Sequence, residues 1–242
     1  MKVVSVNTSA LLNVEYGETT VSTGIFKKSV AGPVFVGSHN LDGDRQADLK
    51  NHGGKSKAVY RFSADHYSYW SKTLNRPDIK PGTFGENLTI SGFEESRIHI
   101  GDDLRVGDCI LQVSQPRVPC FKLGLALDNN ELPRLFVKYG ATGVYFRVIK
   151  EGIVKAGDTV QIIRSEPSAV SIKSLFDAYF NDRSETAISV IEQASLVSQL
   201  SEKWKRKLPS RLHSLRKLHN RAQVYSYRLF SAIQDSPSLG AT

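Results

Sequence analysis

Short hydrophobic runs separated by glycine-containing turns follow one another from Met1 to about Arg164. Each run is two to six residues long and rich in Val, Ile, Phe and Tyr, a composition typical of β-strands. Roughly ten such runs in ~160 residues, with few helices between them, favour a barrel or sandwich over a sheet of βαβ units. The predicted strands are Val3–Val6, Ile25–Phe26, Val34–Val36, Ala58–Phe62, Leu88–Ile90, Ile98–Ile100, Leu104–Val106, Ile110–Val113, Val144–Ile149 and Val160–Ile163.

Two segments inside this region have helical rather than strand spacing. Ser63–Leu74 begins with a serine that can cap a helix, and apolar residues follow at helical intervals. Asn130–Gly140 begins with Asn and ends with Gly, residues that commonly start and stop helices. We therefore predict that two helices interrupt an otherwise β-rich unit spanning residues 1–164.

The period of the hydrophobic pattern changes after Arg164. Apolar residues at helical spacing predict three short helices over residues 167–208, which are too small to hold a core unaided and are expected to pack on the β-rich unit. Leucines then continue at steps of three and four. Residues 209–242 are therefore predicted to form an amphipathic helix with a basic opposite face and a frayed end.

The composition indicates a folded globular chain, since 40% of its 242 residues are hydrophobic and 23% are charged. No apolar run reaches the ~20 residues of a membrane span, and the first residues turn polar too early for a secretion signal. Two cysteines, Cys109 and Cys120, make no disulfide framework, so the predicted compartment is the cytoplasm. The net charge of +8 is local: residues 203–228 hold nine basic residues and no acidic one, leaving 23 basic against 24 acidic elsewhere.

The segment His52–Lys57 contains two consecutive glycines followed by Lys-Ser-Lys. It imitates the end of a phosphate-binding P-loop, but Leu49 stands where that motif needs glycine. A predicted strand also follows where the motif needs a helix, so a nucleoside triphosphatase is excluded. Backbone N–H groups of Gly53 and Gly54, flanked by cationic side chains, still favour an anion site. The alternative is a glycine hairpin with solvated lysines.

Cys120 follows a predicted strand and a Pro-Arg-Val-Pro sequence that ends the sheet. We expect it on a loop at the rim of the β-rich unit, close in sequence to Arg117 and Lys122. Cationic neighbours stabilise a thiolate, which can act as a nucleophile or as a soft metal ligand. The alternative is an inert thiol, the interpretation we favour for Cys109 inside a predicted strand.

A third segment, Phe84–Ile90, is a glycine turn that leads into a predicted strand. Glu86 and Asn87 stand directly before that strand. An Asn side chain offers both a donor and an acceptor, which suits the edge of a heterocycle. A capped turn is the alternative interpretation.

Together the three segments resemble the MOSC domain (molybdenum cofactor sulfurase C-terminal domain), specifically its bacterial YiiM group. The matching stretches are Gly43–Tyr60, Phe84–Leu88 and Pro116–Leu123, within a region that spans Met1 to about Arg164. The resemblance implies a mainly β fold, a closed antiparallel β-barrel, followed by a small three-helix domain at 167–208. The basic amphipathic helix at 209–242 has no counterpart in this pattern.

The resemblance also implies that the protein binds the molybdenum cofactor (molybdopterin), a pterin dithiolene with a terminal phosphate. Cys120 would be the molybdenum ligand and the catalytic residue. Asn87 and the backbone near Glu86 would meet the pterin, and the His52–Lys57 stretch with Arg117 would meet the phosphate. The full predicted set of cofactor-binding residues is His52, Gly53, Gly54, Lys57, Glu86, Asn87, Arg117 and Lys122.

By the same resemblance the protein would be an oxidoreductase that reduces N-hydroxylated compounds, such as hydroxylaminopurine base analogues, and so detoxifies them. The chain carries no flavin or nicotinamide motif, so electrons would come from a separate flavin or haem reductase. Two alternatives stay open. One is a sulfur carrier with a persulfide on Cys120; the other is a module that binds nucleic acid or a membrane surface through residues 203–228. For that segment, a packed helix with a solvated basic face is the structural alternative.

Overall fold

The structure, a computed structural model, describes residues 1–48, 53–165 and 170–234, without the side chains of residues 222–234. Its strands form one eight-stranded sheet and two two-stranded sheets. The strands are β1 (Lys2–Thr8), β2 (Leu12–Tyr16), β3 (Thr19–Thr23), β4 (Lys28–Ser29), β5 (Val34–Val36), β6 (Val59–Ser63), β7 (Leu88–Ser91), β8 (Asp103–Val106), β9 (Cys109–Pro116), β10 (Val144–Lys150), β11 (Gly152–Val154) and β12 (Val160–Arg164).

Most of the predicted strands coincide with observed ones, and two do not. Ile25–Phe26 and Ile98–Ile100 lie outside the strands. Ile98 and Ile100 are nevertheless buried, so their hydrophobicity reflects a loop that fills the core. The β2–β3 hairpin was not predicted, because its residues are mostly exposed and polar.

The large sheet is open and mixed, so the prediction of a closed antiparallel β-barrel is wrong. Its strand order is β12-β8-β9-β10-β6-β7-β1-β4, and β6 pairs with β7 in parallel. Residues before β12 reach β1 through isolated hydrogen bonds, among them Val3 N to Asp158 O at 2.9 Å. These bonds form no ladder between named strands in the described chain. Hydrophobic runs indicate how many strands exist, but they do not identify the neighbours of the edge strands.

The parallel pairing of β6 with β7 places the beginnings of both strands at the same edge of the large sheet. Val144 at the start of β10 pairs with both Arg61 of β6 and Pro116 at the end of β9. Leu88 at the start of β7 also pairs with Arg61. The chain just before β6, just before β7 and just after β9 therefore meets at this edge, and these are the three segments that carry the predicted site residues.

Three helices lie within the β-rich region: α1 (Tyr67–Thr73), α2 (Phe121–Leu127) and α3 (Leu132–Tyr139). The predicted Ser63 cap is present, because its side chain accepts a hydrogen bond from the N–H of Asp65. The predicted Asn130 cap is wrong, since Glu131 is the N-cap of α3, whereas Gly140 ends that helix in the left-handed region (φ 80°). Helix α2 was not predicted, because the prolines before it favoured a loop. Aromatic rings from α1 and α3 stack behind the sheet, with Trp70 and Phe136 4.0 Å apart.

The C-terminal region is helical, with α4 (Ile172–Phe180), α5 (Glu185–Leu196), α6 (Glu202–Lys205) and α7 (Leu208–Gln234). Ile172, Ile191, Trp204 and Leu215 join the same buried cluster as the sheet residues. The helices therefore pack on the sheet. The predicted boundaries 1–164, 167–208 and 209–242 stay a prediction. None of the described helices is long and apolar enough to cross a bilayer.

Candidate functional site

An open cleft lies at the sheet edge where the three segments meet and encloses about 650 Å3, including the space open to solvent at its mouth. Five predicted site residues line it, namely Lys57, Asn87, Arg117, Cys120 and Lys122. Gly53, Gly54 and Glu86 are described but lie outside this lining, and His52 falls outside the described residues. The fold thus brings together side chains that are far apart in the sequence.

Cys120 lies between β9 and α2, with an extended backbone (φ −130°, ψ 172°) from which the helix begins. Its carbonyl accepts a hydrogen bond from the N–H of Leu123 at 3.0 Å, which orients the first turn. The residue is half-buried and lines the cleft. Cys109 is fully buried, and burial raises the pKa of its thiol to about 11. Cys120 is therefore the cysteine that a ligand in the cleft can reach.

Arg117 is a buried cation with an unsatisfied donor. Its side chain is 5% exposed, and its Nη1 has no hydrogen-bond partner among the described residues. The guanidinium lies near two aromatic faces, 5.3 Å from the Tyr60 centroid and 5.7 Å from the Phe136 centroid. Backbone hydrogen bonds hold the residue in place, since its N–H donates to the Gly143 carbonyl and its own carbonyl accepts from the Thr142 hydroxyl. A buried cation of this kind favours an anionic ligand.

Lys57 supplies a second cation to the cleft. It ends a short 3₁₀ turn, Lys55–Lys57, that begins after Gly54 at φ 88°. Its Nζ lies 5.5 Å from the centroid of the Tyr145 ring. Burial, together with the charges of Lys203 and Lys207, lowers the pKa of Lys57 to about 8, while Asp48 acts in the opposite direction.

Asn87 is tied into a polar network that sequence reasoning missed. Its Nδ2 donates to Asp44 Oδ2 at 2.9 Å, and its Oδ1 accepts from the Tyr60 N–H at 3.0 Å. Asp44 also forms an ion pair with Lys27. Burial lowers the pKa of Lys27, although Asp44 opposes the shift. The Asn87 amide thus joins cleft segments to each other.

Glu86 lies behind the cleft wall and holds it. Its carboxylate accepts hydrogen bonds from the N–H groups of Gly82 (2.8 Å) and Phe84 (3.2 Å) and from the Thr89 hydroxyl (2.8 Å). The Tyr67 hydroxyl also donates to it. Burial raises the pKa of Glu86, and these donors oppose the shift. The carboxylate therefore shapes the loop that places Phe84 and Gly85 in the cleft.

The remaining lining residues differ in how well the sequence could have indicated them. Lys122 lies at the exposed rim, where its Nζ donates to the Ser22 carbonyl at 3.1 Å. Asp44 stands within the first stretch of the family resemblance, so that stretch was a usable signal. Tyr60 and Tyr145 lie in hydrophobic strands, and nothing in those runs distinguishes a cleft residue from a core residue.

The model of the MOSC domain matches residues 48–161 of the chain. Protein YflK of Bacillus subtilis is 36% identical over 84% of this chain and 90% of its own length, and protein YiiM of Escherichia coli is 30% identical over 86% and 90%. A reductase of Gibberella moniliformis is 34% identical over 59% of this chain, which spans 26% of that protein. The crystal structure of YiiM from Geobacillus stearothermophilus has a TM-score of 0.73 and 30% identity, covering 87% of this chain and 98% of that one.

The chain belongs to the MOSC-domain family. Within that family it is similar to the bacterial YiiM and YflK proteins along most of its length. Membership links it to molybdenum-cofactor binding, and the residues of the cleft fit such a ligand. The half-buried Cys120 thiol offers a soft metal ligand. The Nη1 of buried Arg117 has no hydrogen-bond partner among the described residues, so it can donate to an oxygen of a phosphate.

Proposed function

We propose that this chain binds the molybdenum cofactor in the cleft, with Cys120 as the protein ligand of the metal, and reduces N-hydroxylated compounds such as hydroxylaminopurine base analogues. The convergence of the Cys120 thiol with the buried cations Arg117 and Lys57 in one cleft of a MOSC-family chain carries the proposal. The existence of a relative named as a reductase supports the reaction class.

When bound, the cofactor supplies the two-electron redox chemistry that cleavage of an N–O bond requires. Cys120 holds the metal, and Arg117 and Lys57 neutralise the anionic phosphate of the pterin. Phe84 and Tyr60 are buried lining residues whose rings give the cleft an apolar wall, which limits water around the bound ligand. Glu86 and Asn87 have a positioning role, because their hydrogen bonds hold the loops that carry these side chains.

Reduction of an N–OH group to an amine and water consumes two electrons and two protons. The electrons come from a separate flavin or haem reductase. Burial raises the pKa of Tyr145 to about 12, so this cleft residue keeps its proton at neutral pH. No hydrogen bond joins the Tyr145 hydroxyl to another described residue. Tyr145 is thus a neutral hydrogen-bond donor in the cleft, and solvent supplies both protons of the reduction.

Metal and pterin analysis of the protein, purified from a host that makes the cofactor, tests the proposal. We expect about one molybdenum per chain in the wild type, and turnover of hydroxylaminopurine with a chemically reduced viologen as electron source. Cys120→Ser should lose turnover, whereas the matched variant Cys109→Ala should keep it. Wild-type protein without molybdenum, or full turnover by Cys120→Ser, would overturn the assignment.

The same preparation discriminates the sulfur-carrier alternative. Mass spectrometry of pterin-free protein would then find a persulfide on Cys120, and the reductase assay would show no turnover. The reductase proposal expects the opposite pattern, with pterin present and no stable persulfide.

The basic C-terminal segment has a partly structural role. Arg211 donates to the carbonyls of Ala178 and Asp182, and Arg216 pairs with Glu192 at 2.6 Å. Lys217 and Arg221 are exposed and remain available for a partner. Contact of residues 203–228 with nucleic acid or a membrane stays a prediction. Titration of the full chain with duplex DNA or anionic vesicles at increasing salt tests it, because phosphate contacts weaken steeply as salt rises.

A further inference from the structure

The β2–β3 hairpin turns an apolar side toward the mouth of the cleft. Leu12, Val14 and Tyr16 alternate along β2, so their side chains point to one side of the hairpin. Leu12 pairs directly with Thr23 of β3, which places Thr23 on the same side. Thr23 lines the cleft. The side of the hairpin that carries Tyr16 therefore faces the cleft.

Tyr16 contacts the residue that follows the proposed metal ligand. It ends β2, just before the turn of the hairpin, and its ring centroid lies 5.3 Å from that of Phe121, with 39° between the ring planes. Phe121 begins α2 directly after Cys120, and its neighbours Cys120 and Lys122 both line the cleft. The rings of Tyr16 and Phe121, which we call the aromatic rim, therefore lie beside the cleft mouth.

Contacts at the base of the hairpin hold the aromatic rim in this position. Lys122 Nζ donates to the Ser22 carbonyl at 3.1 Å, which joins α2 to β3. The Arg45 N–H donates to the Ser9 carbonyl at 2.9 Å, just before β2. A Cβ on Gly24, just after β3, would come within 2.2 Å of the Arg45 carbonyl oxygen, so the chain packs closely there. The rim is thus preformed, as a binding site requires.

The aromatic rim is open to solvent. Tyr16 is 38% exposed, Phe121 45% and Leu12, on the same side of the hairpin, 47%. Exposed apolar residues that adjoin one another, unlike single ones, commonly mark a binding site. Because these residues adjoin the open mouth of a cleft, a ligand that enters the cleft can also cover them. Exposed aromatic rings bind flat, π-rich ligands by stacking, an interaction that an open-chain ligand does not make.

We propose that Tyr16 and Phe121 bind the flat ring of a heteroaromatic substrate, so that the site favours such substrates over open-chain N-hydroxylated compounds. The inference rests on the proposed function and adds the residues that select the substrate. The purine ring of a hydroxylaminopurine stacks on the aromatic rim, and its N–OH group enters the cleft toward Cys120. The side chains inside the cleft act on the reacting group, whereas the rim recognises the rest of the molecule.

Steady-state kinetics of the cofactor-loaded protein, with a reduced viologen as electron source, test the aromatic rim. Phe121→Ala and Tyr16→Ala should each raise the KM for 6-hydroxylaminopurine about tenfold, within the range that loss of a stacking ring costs, and leave kcat unchanged. The KM for acetamidoxime, an open-chain N-hydroxylated compound, should not change. Phe35→Ala is the matched control, because Phe35 is 41% exposed and lies on β5, outside the cleft lining.

Conservative variants separate stacking from simple apolar contact. Phe121→Tyr keeps an aromatic ring and should keep the wild-type KM for 6-hydroxylaminopurine. Phe121→Leu keeps much of the apolar surface but loses the ring, so its KM should rise nearly as far as that of Phe121→Ala. Because the position is exposed, all three variants should unfold at the wild-type temperature. A wild-type KM in Phe121→Leu would contradict stacking, and an equal rise of KM for both substrates in Phe121→Ala would contradict selection by the rim.

Direct binding separates failure of this inference from failure of the proposed function. Equilibrium dialysis measures the affinity of the purified protein for adenine, which has the flat ring but no N–OH group. The Tyr16→Ala/Phe121→Ala double variant should bind adenine more weakly than the wild type. If the wild type does not reduce 6-hydroxylaminopurine, the proposed function fails, and weaker adenine binding by the double variant would still support the rim. Equal adenine affinity in the two proteins, or no binding by the wild type, would refute the rim whether or not the reductase activity is found.

Discussion

The guanidinium of Arg117 faces the ring of Tyr60 at 5.3 Å, where most buried arginines would face a carboxylate. A second buried arginine, Arg61 of β6, has such a partner in Glu95 at 3.0 Å. Both arginines are buried, but their surroundings differ. Arg61 is held by the Glu95 carboxylate and the Phe93 carbonyl, although its Nε has no partner among the described residues. The Nη1 of Arg117 likewise has no partner among the described residues, and Arg117 lines the cleft, where a ligand can reach it.

Neutral replacements of these arginines should therefore have opposite effects on the cofactor-free protein. Arg117→Met removes an unpaired buried cation, so we expect the free energy of unfolding to stay the same or rise. Arg61→Met leaves the buried Glu95 carboxylate with His66 as its one ion-pair partner among the described residues and should cost about 3–5 kcal/mol. Denaturant unfolding measures both values. A large loss of stability in Arg117→Met would show that Arg117 is structural.

The two cysteines should differ in reactivity in the native protein. A thiol reagent such as 5,5′-dithiobis(2-nitrobenzoate) should modify one thiol per folded chain, at Cys120, because Cys109 is fully buried with a pKa raised to about 11. Both thiols should react in denaturant. Cys120→Ser should leave no fast-reacting thiol. Rapid native modification of Cys109 would contradict the assigned burial.

Glu95 should make the stability of the fold depend on acid pH. Burial alone would raise the pKa of this carboxyl, but the His66 hydrogen bond and the Arg61 charge hold it below its usual value. A depressed pKa stabilises the folded state above the unfolded-state pKa of ~4.3, and this contribution is lost as the pH falls through the folded-state pKa.

The Glu95→Gln variant tests this linkage. It should lose about 3 kcal/mol at neutral pH, and the difference from the wild type should shrink below about pH 4. Asp78→Asn is the control, since the Arg76–Asp78 pair is exposed and its loss should leave stability unchanged. A difference between Glu95→Gln and the wild type that is constant from pH 7 to pH 3 would exclude the linkage.

Two glycines with positive φ should respond differently to alanine. A Cβ on Gly143 (φ +92°) would come within 2.4 Å of the Arg61 carbonyl oxygen and 2.6 Å of the Tyr60 ring, so Gly143→Ala should be severely destabilising. A Cβ on Gly54 (φ +88°) meets no atom within 4 Å. Gly54→Ala should therefore cost only the backbone strain of about 1–2 kcal/mol. Thermal unfolding of both variants checks the order, and equal losses would contradict it.

The strands that could be predicted are those whose burial requires hydrophobic residues, because such residues can be recognised in the sequence. The run Val144–Ile149 is β-branched and aromatic and lies in β10, whereas the exposed hairpin β2–β3 leaves no comparable signal. Closure of the sheet could not be predicted. Whether its edge strands pair depends on contacts between distant segments, and hydrophobic alternation is the same in an open sheet and a barrel.

The site could be predicted only where a residue type is itself informative. Cys120 and Arg117 stand beside prolines at the end of a strand, and both line the cleft. Lys27 and Asp44 were missed, because a single Lys or Asp in the sequence does not indicate a site. Only the fold shows that the two form an ion pair.

The position of β1 inside the large sheet constrains how the chain is assembled during synthesis. Asn7 of β1 is hydrogen-bonded to Thr89, 82 residues further on, and Val3 is bonded to Asp158. A ribosome must therefore finish most of the chain before this strand acquires its neighbours. Until then an apolar strand is exposed to other chains, so overexpression at high temperature should favour aggregation, and slower translation or chaperone binding should increase the yield of folded protein.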